Sequence, residues 1–293
     1  MTNTISAKEE WVKTFNGQDL FTKSWSTPGN PIATLVMIHG FGEHITRYDR
    51  LFTAFAGQGI ECYGYDQRGF GETGKKSGHF GDNQGYETVL KDVDEAIIKA
   101  KRENVPLVLM GHSMGGGIVL NYVARKDQYK GYKLLTAVIA SAPLVTLSMP
   151  IPAIKYYPLK GLSKVLPSFT IRAGLDPSGI SHDKEEIEKY VNDPLVHDFA
   201  TLATVSGFLD AGNDILKTEA KKITLPILYS HGDADPINAF KSTEKAYELT
   251  SSTDKELKNW HGLYHELHNE TMPQRQEVTE FYIQWIKARV QAK

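Results

Sequence analysis

Short apolar runs rich in branched residues alternate along the chain with longer stretches in which apolar positions recur every three or four residues. Runs of the first kind read as buried strands, and stretches of the second kind as helices packed over them. Strands are expected at 33–38, 60–65, 107–110, 134–140, 227–230 and 257–260, and helices near 48–58, 85–102, 114–124, 236–249 and 277–288. Strand and helix in turn is the pattern of a mostly parallel central sheet flanked by helices, so the expected fold class is α/β. Residues 11–25 add two antiparallel strands at one edge.

Between 141 and 225 the rhythm breaks. Seven prolines (Pro143, Pro150, Pro152, Pro158, Pro167, Pro177 and Pro194) punctuate helix-like pieces without a strong strand. Much of this interval reads as an insertion over one end of the sheet, a cap or lid. The expected division is a first part of the core at 1–143, a cap at 144–202 and a second part of the core at 203–293. Leu147, Met149, Ile151, Ile154, Tyr156, Tyr157 and Leu159 crowd one stretch of the cap, interrupted by prolines and lysines that exclude a bilayer span. An edge of this kind is expected to dock peripherally on a membrane or lipid droplet.

Composition narrows the function. With 33 basic and 35 acidic residues spread evenly, for a net charge of −2, there is no basic stripe for nucleic acid. A single cysteine, Cys62, excludes an internal disulfide framework and fits a reducing compartment. The opening MTNTISAKEEWV lacks the charged and apolar regions of a signal peptide, so a cytoplasmic protein is expected. Oligomeric state is not readable.

Two motifs invite other chemistry. Gly69–Gly74 matches GxGxxG after a strand, but a dinucleotide site needs a helix N-terminus at the third glycine, and 75–81 reads as continued loop. His261, His265 and His268 lie close together, but without HExxH spacing or a carboxylate cluster they do not read as a metal site. No cofactor or metal is expected.

Gly111-His-Ser-Met-Gly115 is the informative stretch, because it joins an apolar strand directly to a helix. In GxSxG the serine sits on a strained strand-to-helix turn that exposes its hydroxyl at the carboxyl end of the sheet. Ser113 is therefore the candidate nucleophile. It needs a base, and the base needs a carboxylate to fix its tautomer. In this order of elements the acid follows a late strand and the histidine comes last. Spacing admits Asp233 or Asp235 as acid, and His261, His265 or His268 as base; either aspartate could instead cap a helix near Pro236. An oxyanion hole needs one amide after the nucleophile and one after the early strand, which Met114 and Phe41 supply.

HGFGEH (39–44), DQRGFG (66–71), GHSMGGG (111–117), HGDAD (231–235) and YHELH (264–268) together resemble the monoacylglycerol lipases of the α/β-hydrolase superfamily, the fungal members above all. The phrases VLPSF and NDPL extend that resemblance into the cap. It implies an α/β-hydrolase fold and a cofactor-free serine hydrolase that cleaves monoacylglycerol through an acyl-enzyme; a broader carboxylesterase or lysophospholipase and a non-catalytic lipid carrier are the alternatives. Position by position it assigns the nucleophile to Ser113, the acid to Asp235, the base to His265 and the oxyanion donors to Phe41 and Met114. It further assigns Glu43, Arg47 and His268 to a polar pocket for the glycerol hydroxyls. Regulatory cysteines near the cap, also implied, have no counterpart here, since Cys62 lies on an expected core strand.

Overall fold

The computed structural model describes residues 5–290. An eight-stranded sheet forms from β1 (Ser6–Lys13), β2 (Asp19–Ser26), β3 (Ala33–Ile38), β4 (Ile60–Tyr65), β5 (Leu107–His112), β6 (Leu135–Ser141), β9 (Ile227–Gly232) and β10 (Lys255–Trp260). Their order is β1-β2-β4-β3-β5-β6-β9-β10. Only β1 and β2 run antiparallel to their neighbours. The apolar runs explain the order: β3, β5 and β9 are buried along their whole length, as strands covered on both faces must be. Charged β1 is exposed and blunts one edge.

Alternate residues of each central strand feed two cores. Val36, Leu109, Val138 and Tyr229 pack with Val89 and Val93 of α3 (Tyr86–Ala100) and with Val119 and Val123 of α4 (Met114–Ala124). Leu35, Val108, Ile139 and Leu228 pack instead with Phe52 and Phe55 of α1 (Asp49–Gly57) and with Tyr282 and Ile286 of α9 (Gln274–Val290). Cys62 lies wholly buried on β4, where burial pushes its thiol pKa well up.

The segment after β4 corrects the expected continuous loop. A short helix, α2 (Gly71–Ser77), forms there. Its glycines masked it, yet they permit it: a Cβ on Gly71 would collide with the Asp66 carboxylate, which accepts the Glu72 amide at 2.7 Å and the Ile45 amide at 2.8 Å. An internal carboxylate therefore occupies the helix N-terminus that a dinucleotide phosphate would need.

Between β6 and β9 come α5 (Ala153–Val165), α6 (Lys184–Asn192) and α7 (Leu202–Asp214), with the short strands β7 (Thr170–Arg172) and β8 (Phe199–Thr201) paired antiparallel. Of the apolar residues expected at the docking edge, Met149, Ile154 and Tyr157 are exposed, and Val165 and Phe169 join them. Leu147, Ile151 and Tyr156 line a cavity of about 320 Å³ with Leu209 of α7. Among the described residues no helix is long and apolar enough to cross a membrane.

Candidate active site

Ser113 sits between β5 and α4 with φ +55°, a left-handed conformation that a non-glycine residue adopts only under constraint. Three backbone bonds impose it: Ser113 donates to the Ser141 carbonyl at 2.9 Å, and its own carbonyl accepts Leu144 at 2.8 Å and Gly117 at 3.1 Å. A Cβ on Gly115 would collide with the Ile38 carbonyl, so the glycine is what lets α4 lie this close to β3. Among the described residues neither the Met114 nor the Phe41 amide donates to a protein group. The first belongs to the opening turn of α4, where amides lack helical partners.

The Phe41 loop is fixed by neutral histidine. His39 is fully buried, which lowers its pKa to about 4. Its Nδ1 bonds the Gly40 carbonyl at 2.8 Å, and its Nε2 accepts the Gln67 amide at 2.9 Å. A ring nitrogen facing a carbonyl must carry the proton, so the tautomer is set.

Both aspartates of HGDAD bind a histidine. Asp235 Oδ2 lies 2.7 Å from His265 Nδ1 and 2.9 Å from His231 Nε2, while Oδ1 accepts the Ile237 and Asn238 amides at 2.7 and 3.0 Å. Asp235 thus caps a turn and grips an imidazole at once; the following helix, α8 (Phe240–Leu249), begins only beyond that turn. Burial opposes its charge, but His265 and the His231 hydrogen bond hold the carboxyl well below the usual carboxylate range. Burial likewise opposes charge on His265, but Asp235 raises the imidazole above its ordinary value. Because a carboxylate only accepts, His265 carries its proton on Nδ1, and Nε2 is left as the basic nitrogen.

Asp233 lies outside. Its Oδ2 is 2.8 Å from His261 Nδ1 on a side chain that is 85% exposed. His265 and Ser113 line one cavity of about 20 Å³, space for about one water, together with Phe41, Glu43, Glu266 and, from the segment between β6 and β9, Leu175, Ile180 and Tyr190. No hydrogen bond joins His265 to Ser113 among the described residues; the serine Oγ meets Asn238 Nδ2 at 3.5 Å instead.

The three residues assigned to the glycerol hydroxyls are not equivalent. Glu43 Oε2 accepts Arg47 Nη1 at 2.8 Å, and its Oε1 accepts the Gly40 amide at 2.6 Å and the Tyr48 hydroxyl at 2.7 Å. Arg47 is further forked onto Glu266 at 2.7 and 2.8 Å. His268 is buried against the Tyr48 ring, 4.9 Å between centroids, and both of its nitrogens lack partners among the described residues. Burial lowers its pKa to about 4, so it is neutral near pH 7.

Sequence reasoning missed His231, Glu266 and Tyr190 of α6. His231 stands four residues before Asp235 in a motif that carried the signal; its Nδ1 meets Thr243 Oγ1 at 2.8 Å, which leaves Nε2–H to donate to Asp235. Nothing local marks Tyr190.

Residues 29–272 match the family model Hydrolase_4, described as serine aminopeptidase, S33. The chain belongs to this family of α/β-hydrolases. It is 32% identical to a monoglyceride lipase of Mus musculus, over 94% of this chain and 89% of that protein. It is also 32% identical to an uncharacterized abhydrolase domain-containing protein of Dictyostelium discoideum; the match covers 99% of this chain but spans only 30% of that protein's length. A crystal structure of a soluble variant of Saccharomyces cerevisiae monoglyceride lipase with a substrate analog superposes with a TM-score of 0.85 at 28% identity, covering 99% of this chain and 97% of that one. These relatives bear out the resemblance to monoacylglycerol lipases, and with them the chain is an α/β-hydrolase of the ester-hydrolase kind.

Proposed function

We infer that the chain cleaves monoacylglycerol to glycerol and a fatty acid, with Ser113 as nucleophile, His265 as base and Asp235 as its orienting acid. The observation that carries this reading is the buried 2.7 Å Asp235–His265 pair beside a serine held in a strained turn. Ser113 Oγ attacks the ester carbonyl carbon and its proton passes to His265 Nε2. The carbonyl oxygen becomes an oxyanion facing the Phe41 and Met114 amides. His265 then protonates the leaving glycerol oxygen as the carbon–oxygen bond breaks. Water, deprotonated by the same nitrogen, hydrolyses the acyl-serine and restores the enzyme.

The substrate class rests on the monoglyceride lipases among the relatives. Of the three residues assigned to the glycerol side, His268 has no partner for either ring nitrogen among the described residues, and as a neutral imidazole it can give one hydrogen bond and take one. Glu43 and Arg47 are already bonded to one another, and that occupancy favours a second reading, a broader carboxylesterase with little interest in the alcohol. The segment 144–202 acts as the cap, and exposed Met149, Ile154, Tyr157 and Val165 are its docking edge for a membrane or lipid-droplet surface.

The test is purified protein on mono-, di- and triacylglycerol and on a p-nitrophenyl ester, each with wild type and His268→Ala. The monoacylglycerol reading expects preference for the monoester and a loss in His268→Ala confined to glycerides. Equal rates on all four esters would favour the broad esterase.

A further inference from the structure

Behind the cavity runs a buried chain of charge. Glu266 takes both Nη1 and Nη2 of Arg47, and the same Nη1 reaches Glu43, whose other oxygen holds the Gly40 amide. Exposure of these side chains is 4% for Glu266, 9% for Arg47 and 3% for Glu43. In sequence, Glu266 directly follows His265 and Gly40 directly precedes Phe41. Two loops more than two hundred residues apart are thereby joined through one guanidinium. The Tyr190 ring lies 4.7 Å over that guanidinium, and Asn269 Nδ2 donates to Glu266 Oε2 at 2.7 Å.

Stability does not account for this arrangement. Buried ion groups of this kind are often replaceable by apolar residues at no loss, because desolvation offsets their attraction. What a planar two-bonded fork does supply is a fixed geometry. We propose that Glu266 is a positioning residue that, through Arg47 and Glu43, holds the base His265 in register with the Phe41 oxyanion donor.

This rests on the assignment of Ser113, His265 and Phe41 given above. Register between base and oxyanion hole matters because a displacement of about 1 Å costs on the order of 100-fold in rate. Asp235, Glu266 and Glu43 all raise the proton affinity of His265 against its burial, and the buried His112 ring lies 4.8 Å from it. Removing Glu266 therefore lowers the affinity of His265 for a proton.

The experiment compares wild type, Glu266→Gln, Glu266→Leu and Ser113→Ala, with folding checked by circular dichroism and active sites counted by fluorophosphonate titration. Rates are read per active site on monoacylglycerol and on a p-nitrophenyl ester. The proposal expects kcat to fall on the order of 10- to 100-fold in Glu266→Leu, equally on both esters and with little change in KM, and less in Glu266→Gln. The acid limb of the pH profile shifts to lower pH in both, a readout that a scaffolding role would leave in place. Unchanged kcat in folded Glu266→Leu, or a loss confined to KM for the glyceride, overturns the proposal. If Ser113→Ala keeps full activity, the catalytic assignment itself fails and the proposal with it.

Discussion

Two aspartate–histidine pairs stand within a few residues of each other, and they differ in almost nothing but their surroundings. Asp235–His265 closes at 2.7 Å and Asp233–His261 at 2.8 Å. The first is dry, with side chains 0% and 6% exposed, and four N–H groups converge on its carboxylate. The second stands in solvent, and although the Gly262 amide and His261 lower the Asp233 pKa, water screens what that pair can do. Distance does not make a catalytic pair. Burial is what sets the two apart, because it strengthens the field of Asp235 at His265.

The largest expected effect separates the two. His265→Ala and Asp235→Asn should each reduce kcat/KM on the order of 10⁴-fold, the scale for loss of a base or its orienting acid. His261→Ala and Asp233→Asn should stay within about twofold, as exposed pairs contribute little. Steady-state rates on a soluble ester, with melting curves as fold control, decide this. A 10⁴-fold loss in Asp233→Asn would reverse the comparison.

That contrast also marks what a linear chain discloses. Central strands were readable because a strand covered on both faces must be almost wholly apolar, as 33–38, with Thr34 its one polar residue, and 107–110 are. Ser113 was readable because the glycines record a packing limit. Both aspartates satisfied the spacing, and both indeed bind a histidine, so spacing could not choose between them; burial, which does distinguish them, depends on the whole fold. Helix α2 was hidden by glycines that read as loop formers yet pack against Asp66. The Arg47–Glu266 fork joins residues 219 apart, a relation no local pattern carries.

A smaller effect tests the second imidazole. His231→Ala leaves Asp235 Oδ2 one donor short, and kcat should fall about tenfold, which corresponds to the low end of the roughly 1.5–3 kcal/mol of a hydrogen bond to a charged group. His231→Gln, which can still donate, should recover part of the loss. If neither variant differs from wild type, the four-donor account of Asp235 is wrong.

The pH profile sharpens the same point. Only neutral His265 can act as base, and Asp235 raises its pKa above the ordinary 6.5, so kcat/KM should fall as pH drops through a value above 6.5. A profile flat down to pH 5 would contradict the assignment of the base. Smallest of all is the surface effect: Ile154→Asp with Val165→Asp should lower recovery with floated vesicles severalfold while leaving soluble-ester turnover near wild type, as expected of two exposed apolar contacts.

Ser113 is expected to be activated by the buried Asp235–His265 pair and not by Asp233 and His261. The most direct measurement is the rate at which a fluorophosphonate forms a covalent adduct, with the modified residue located by peptide mass spectrometry, in wild type, Asp233→Asn and Asp235→Asn. The account predicts a single adduct on Ser113, formed at the wild-type rate in Asp233→Asn and slowed on the order of 10³-fold or more in Asp235→Asn. An adduct on another residue, or equal rates in the two variants, would contradict it.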